Sequence, residues 1–290
     1  MHNVIDFIKW ALTHVDPSTV PENAKLPLAL EECGTEPWHY LFGTVRSRTT
    51  RALIEERWRN YYSTHGWPEE RYKTATASFR ESEYATDCQG LLDAWLTHIC
   101  NEKTDINADM NYQFWCTEKG KISDIERSYL IGEAVFCCNP NGRMSHVGWV
   151  CGFDCDGEPL VVEARGLWYG VVITRFESRP WTHRGLMTKK FEYTEDNEMD
   201  KPIKLEKTSP MMQGDAILKM QQALNALGYA DVNGNALEED GKCGIKTIQA
   251  VTAFANAHAD CMASSAEPIA VFTSNGGTYQ LNLIAAERGA

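Results

Sequence analysis

The stretch Tyr84-Ala85-Thr86-Asp87-Cys88-Gln89-Gly90-Leu91-Leu92 sets one cysteine directly ahead of an apolar run. Leu91, Leu92, Trp95, Leu96 and Ile99 recur at helical spacing. Thr86 or Asp87 can cap that helix, which places Cys88 in its first turn. Unpaired backbone N–H groups and the positive end of the helix dipole gather there, and both favour a thiolate over a thiol. The stretch therefore reads either as a nucleophile or as a small buried cysteine at a helix start.

A cysteine nucleophile needs a general base within hydrogen-bond reach and a third group to orient that base. Downstream of Cys88 the hydrophobic period changes. Residues 133–138, 146–153, 159–164 and 170–175 are strand-like, with turn signals at Asn139-Pro140-Asn141-Gly142 and around Gly157. Short strands joined by tight turns, following helices, predict an α+β domain with an antiparallel sheet. If the second and third strands pair across the turn at 154–158, Glu163 comes back beside His146. A sheet packed on the cysteine helix can then present both to Cys88.

Upstream, Val4, Phe7, Ile8, Ala11, Leu12 and Val15 mark a helix over 3–15 that Asp16-Pro17 ends. A second helix is expected over about 48–62, then a polar loop to 84. Between them Trp38-His39-Tyr40-Leu41-Phe42-Gly43 puts an aromatic cluster beside a glycine, as a core edge or a cleft wall does.

The 290 residues suffice for one large domain and a smaller one, and 43% hydrophobic with 10% aromatic content describes a globular chain. A net charge of −12 argues against a nucleic-acid binder, which carries a basic stripe, and offers nothing to an anionic membrane. No apolar run is long enough to span a bilayer. The start is amphipathic, without the basic and apolar regions of a secretory signal, so synthesis in the cytoplasm is expected. The ten cysteines are then expected as reduced thiols, with Cys137 and Cys138 on opposite faces of a strand. No metal or cofactor is expected. Cys137, Cys138, Cys151, Cys155 and His146 lack zinc-type paired spacing. The calcium-like start Asp231-Val232-Asn233-Gly234-Asn235 has Ala236 and Lys242 where such a loop needs Gly and Glu.

Residues 194–213 are charged and proline-punctuated, as in a linker. Beyond them Ile217, Leu218, Met220, Leu224 and Leu227 mark a helix closed by Gly228, and Ile245, Ile248, Val251, Phe254 and Ala255 mark another. A strand near 269–272 and a helix near 280–287 are expected in the tail.

Taken together, Asp87-Cys88-Gln89-Gly90-Leu91, Gly132-Glu133-Ala134-Val135-Phe136, Ser145-His146-Val147-Gly148-Trp149-Val150-Cys151-Gly152 and Val161-Val162-Glu163-Ala164-Arg165-Gly166 resemble the NlpC/p60 family in order and spacing over about residues 37–186. That family's papain-like cysteine peptidases cut bacterial cell-wall peptides. The resemblance implies Cys88 as nucleophile, His146 as general base and Glu163 as the orienting group, where the family more often has His. Tyr40 matches the tyrosine that shapes the oxyanion site, with the Cys88 N–H as the other donor. Asp87, Gln89 (in place of the usual Ser), Trp38 and Arg165 are implied to line the substrate cleft. His183 is an alternative base, read as a structural loop residue.

The second unit resembles small helical peptidoglycan-binding modules over about 210–256. Gly214-Asp215, Gln221, Leu224-Asn225-Ala226-Leu227-Gly228-Tyr229, Asp240-Gly241, Gly244, Thr247 and Phe254 carry that likeness. The implied organisation is a papain-like domain over 1–193, a linker over 194–209, and a wall-binding helical domain with its extension over 210–290. The implied function is a peptidoglycan endopeptidase, cutting after D-isoglutamate, with the bacterial wall as partner. Without a signal, it would reach the wall by phage-type lysis or by injection. The alternatives are an amidase that cuts the sugar–peptide bond and a catalytically idle wall-binding protein.

Overall fold

The structure, a computed structural model, describes residues 1–22, 24–154, 157–193, 202–204, 213–257 and 271–273. The chain divides into two units, Met1–Gly152 with Glu158–Glu198, and Phe153–Gly157 with Met199–Ala290. Among the described residues they hold seven α-helices and a six-stranded antiparallel sheet.

In the first unit, strand β1 (His2–Asn3) runs into helix α1 (Val4–Thr13), whose start is capped by the Asn3 side chain accepting from the Ile5 N–H. Val4, Phe7, Ile8, Ala11 and Leu12 form its buried stripe at i, i+3, i+4, i+7 and i+8. Strands β2 (His39–Tyr40) and β3 (Ser47–Arg48) follow, then α2 (Arg51–Arg57), which continues through a π-helical turn over Trp58–Tyr62. Next come α3 (Glu69–Thr76), β4 (Tyr84–Thr86) and α4 (Gly90–His98). Strand β4 lies between β2, parallel to it, and β3, antiparallel. The polar loop expected before residue 84 thus contains a helix. Only Tyr72, Ala75 and Thr76 of α3 are buried, and its remaining charged positions hide the periodicity.

Residues 108–192 carry the short helix α5 (Ala108–Met110) and strands β5 (Thr117–Lys121), β6 (Ala134–Cys138), β7 (Met144–Phe153), β8 (Pro159–Gly166), β9 (Gly170–Arg175), β10 (His183–Leu186) and β11 (Phe191–Glu192). The large sheet has the order β5-β10-β6-β7-β8-β9, and β11 pairs with β1. Strands β6 to β9 match the four strand-like apolar runs read from the sequence and are buried along most of their length; β5 and β10 have no such run. β5 (Thr-Glu-Lys-Gly-Lys) is an edge strand with no buried residue. β10 buries Arg184, a charge that alternation assigns to solvent. Two hydrogen bonds from Arg184 (2.6 and 2.8 Å) and two from Arg127 (2.8 and 2.9 Å) reach the fully buried Glu133 carboxylate at the head of β6. That pairing is what admits the charge.

Phe7 of α1 meets Trp95 of α4 and Trp149 of β7 edge-on, at 5.8 and 5.1 Å between ring centroids, so both helices pack on one face of the sheet. Gly132 (φ +84°) lies under α1, where a Cβ would fall 2.2 Å from a Val4 methyl.

The second unit contains α6 (Asp215–Ala226), α7 (Ile245–Ala257), and strands β12 (Pro202–Lys204) and β13 (Val271–Thr273), which pair antiparallel. Ile217, Met220, Leu224, Leu237, Val251 and Phe254 share its core. The buried Gln221 amide donates to Asp240, the Lys242 carbonyl and Thr247, and accepts from the Gly241 N–H. The expected linker, 194–209, lies outside the described residues except for 202–204, which are strand. The expected strand near 269–272 corresponds to β13, and the helix near 280–287 lies outside the described residues. No helix among those described is long and apolar enough to cross a membrane.

Candidate active site

The turn that leads into α4 is built by Asp87. Its N–H donates to the Thr44 carbonyl (2.9 Å), while its carboxylate accepts from the N–H groups of Gly43 (2.9 Å) and Gly90 (2.7 Å). The second of these caps the helix; the first ties it to the segment following β2. Gly90 is required by close approach: a Cβ there would stand 2.2 Å from the Thr44 oxygen. Cys88 is held between these two anchors. Asp87 is therefore a capping residue rather than a cleft-lining one. Burial keeps its carboxyl above the usual range despite the bonds from Gly90 and Gly43.

Cys88 is half-buried. Burial, and next the neighbouring Asp87 charge, push its thiol up to about 12 against the opposing pull of the Val147, Gln89 and Cys88 N–H groups. The helix start favours a thiolate, whereas burial favours the thiol. Burial outweighs the helix-start N–H groups and the Asp87 charge adds to it, so the sulfur carries its proton at neutral pH.

The Val147 N–H that faces the sulfur belongs to the residue after His146 on β7. His146 Nε2 lies 2.5 Å from a Glu163 oxygen on the adjacent strand β8. The contact is made through Nε2, which leaves Nδ1 for a thiol proton. Glu163 is fully buried and also accepts from Thr174 Oγ1 (2.8 Å), Arg179 Nε (2.8 Å) and Arg179 Nη2 (3.1 Å). Burial alone would raise its carboxyl, but the bonds and charges of His146 and Arg179 outweigh it and hold the group ionised. The Trp181 ring lies parallel to the imidazole at 5.6 Å, which fixes its plane. A Cβ on Gly148 would fall 3.2 Å from Glu163 Cβ and 3.1 Å from Trp181, so this glycine gives the pair its room.

Tyr40 pairs with Thr86 across β2 and β4, two residues before Cys88. Burial first, then the Cys88 and Asp87 charges, hold its phenol well above the ordinary value, so it remains a hydrogen-bond donor. Tyr61, on the π-helical turn, is raised by the same three causes and stacks on Phe42 at 3.6 Å.

Three expected cleft residues lie elsewhere. The Gln89 side chain is buried, donates to Asp93 Oδ1 (3.2 Å) and accepts from Asn111 Nδ2 (2.8 Å); it joins α4 to the segment behind it. Trp38 is 3% exposed and stacks on His14 at 3.9 Å, inside the core. Arg165 lies two residues past Glu163, with its guanidinium over the Tyr169 ring at 4.1 Å, at the β8–β9 turn. His183 is a strand residue, not a loop one. Its register partners are Phe136 and Lys121, and its Nδ1 contacts Thr182 Oγ1 at 3.0 Å.

The sequence reading missed Arg179, Thr174, Trp181 and Tyr61. Arg179 and Trp181 stand in the same Arg179-Pro180-Trp181-Thr182-His183 stretch that drew notice for its histidine. Their signal was a cation two positions from an aromatic after the last strand. Among the described residues no group of three or more His, Cys, Asp or Glu is placed to hold a metal. In the calcium-like stretch, Asp231 Oδ1 accepts from the N–H groups of Asn233 and Asn235, closing a turn on itself.

The chemistry available is that of a protonated thiol facing the backbone N–H of Val147, the residue after a histidine that an ionised, buried carboxylate orients, with phenols near the sulfur. Compared with models of known protein families, with curated proteins and with solved structures, the chain finds no match in any of the three.

Proposed function

We propose that the chain is a cysteine peptidase with a papain-like fold of the NlpC/p60 type, cleaving stem peptides of bacterial peptidoglycan. The observation that carries this reading is the His146–Glu163 contact of 2.5 Å, whose neighbour Val147 faces the Cys88 sulfur. In the first step Cys88 Sγ attacks the scissile carbonyl as its proton passes to His146 Nδ1. Glu163 holds the resulting imidazolium, and Tyr40 Oη with the Cys88 N–H stabilises the oxyanion. The imidazolium then protonates the leaving amine, leaving a thioester. Water, deprotonated by His146, releases the acid and restores the thiol.

With burial raising the Cys88 thiol, the proton passes to His146 as the sulfur attacks rather than beforehand. The placement of the peptide bond after D-isoglutamate rests on the likeness to the family alone. The second unit is read as the wall-binding module. In its support, Gln221 links Asp240, Gly241 and Thr247, residues that carry the likeness to such modules.

The test is clearance of purified peptidoglycan by the full chain. Cys88→Ala is expected to abolish clearance and retain wall binding; unchanged clearance would overturn the mechanism. The elevated thiol also favours one rival, a catalytically idle wall-binding protein. A thiol-reactive probe separates the two, since the peptidase reading requires Cys88 labelling at neutral pH that depends on His146.

A further inference from the structure

A cavity of about 260 Å³ lies in the first unit beside the β8–β9 turn, walled by His39, Phe79, Trp168 and Tyr169, with Asp16 also in its lining. Trp168 and Tyr169 are 46% and 52% exposed, two successive large aromatics left in solvent on a tight turn. The turn is firmly seated: the Tyr169 N–H donates to the Gly166 carbonyl (2.9 Å), and Gly170 (φ +71°) sits so near the Trp38 carbonyl that a Cβ would be 2.5 Å from it. Folding gains little from rings held open in this way, whereas a ligand with flat apolar faces gains contact at low entropic cost.

The polar groups around the cavity already have partners. His39 Nε2 lies 2.6 Å from Glu83 Oε2, Asp16 Oδ1 accepts from the Ser18 N–H and hydroxyl, and the Arg165 guanidinium covers a face of Tyr169. A cation would meet Arg165, and an anion would meet Asp16 and Glu83. A neutral, polyhydroxylated ring suits both the aromatic walls and these polar groups, and a pyranose fits the volume.

We propose that this cavity is a saccharide subsite, holding one pyranose of the glycan to which the stem peptide is attached. The proposal rests on the peptidoglycan reading above and makes the substrate a glycan-linked stem rather than a free peptide. Its position suits that role. From Glu163 to Gly166, where β8 ends, the chain advances ~10 Å at strand rise, the length of a short extended peptide. His39 also directly precedes Tyr40 on β2.

The test uses the full chain carrying Cys88→Ala, titrated by tryptophan fluorescence with a disaccharide of N-acetylated amino sugars, with the same disaccharide bearing a stem peptide, and with the free peptide. Saturable binding of the disaccharide is expected. In the added double variant Trp168→Ala/Tyr169→Ala, followed by calorimetry, both sugar-bearing ligands should bind at least tenfold more weakly while the free peptide is unaffected. Absence of disaccharide binding, equal binding by both proteins, or preference for a quaternary ammonium probe would overturn the subsite. Because both rings are exposed, the double variant should keep its unfolding midpoint. Disaccharide binding that Trp168→Ala/Tyr169→Ala weakens, without cleavage of any peptide by the wild type, would sustain the subsite and sink the peptidase. Peptide cleavage without sugar dependence would do the reverse.

Discussion

His146 Nε2 and Glu163 Oε2 stand 2.5 Å apart on neighbouring strands, and the carboxylate is closed off from water by Thr174 and Arg179. A buried carboxylate so paired fixes both the tautomer and the plane of the imidazole, leaving Nδ1 as the working nitrogen. Glu163→Gln keeps the shape but removes the charge that stabilises an imidazolium. The expected result is a kcat/KM on stem peptide lower by roughly 10²- to 10⁴-fold with the fold retained. Glu163→Ala should instead lower stability, by about 3–5 kcal/mol, because Arg179 loses its partner. Steady-state kinetics and urea denaturation of both variants distinguish the two effects.

The Cys88 turn depends on the close contact between Gly90 and Thr44, 2.2 Å from a built Cβ to the carbonyl oxygen. Gly90→Ala must shift one of the two segments. It is expected to cost about 1–3 kcal/mol and to slow labelling of Cys88 by a thiol probe. A labelling rate equal to the wild type would show that the turn does not position the sulfur.

Glu133, at the head of β6, and Arg184, on β10, form a buried ion pair. Arg184→Ala leaves an incompletely compensated carboxylate and should destabilise the protein by about 3–5 kcal/mol. At temperatures where the variant stays folded, Cys88 labelling should match the wild type. Denaturation curves and labelling rates check both halves of this expectation.

Two buried groups make stability depend on pH with opposite signs. His14, stacked on Trp38, is lowered by burial to about 4 from 6.5. Between those values the unfolded chain holds a proton that the folded one does not, so stability falls as pH drops from about 7 to 4, by up to about 3 kcal/mol. Asp93 is raised by burial to about 7 from 3.8, with Gln89, Thr104 and the Ile106 N–H around it. Here the folded chain holds the extra proton, and stability falls as pH rises from about 4 to 7, by up to about 4 kcal/mol. Denaturation free energies over this range should therefore rise with pH in Asp93→Asn, fall with pH in His14→Phe, and vary least in the wild type.

The pairing of His146 with Glu163 was legible because strand alternation and one turn suffice to bring them together. The cysteine turn was legible from Asp87, Cys88 and Gly90 in sequence. The role of Gln89 was not, since its side chain is drawn inward by Asn111, 22 residues away in the chain. The charge state of Cys88 was misread for a related reason: dipole and cap were counted, but not the burial they occur in. The aromatic cluster from Trp38 to Phe42 reads equally as cleft wall or core edge, and for Trp38 its burial and its stack on His14 decide. Strand β10 was missed because it is short and one of its buried residues is an arginine whose partner lies 51 positions earlier.

The proposed peptidase requires Cys88 and His146 together to cut the stem peptide. Mass spectra of defined peptidoglycan fragments, digested by the wild type, Cys88→Ala and His146→Ala, test it most directly. Split stems from the wild type and intact fragments from both variants are expected. Intact stems freed from their sugars, or split stems from Cys88→Ala, would contradict it.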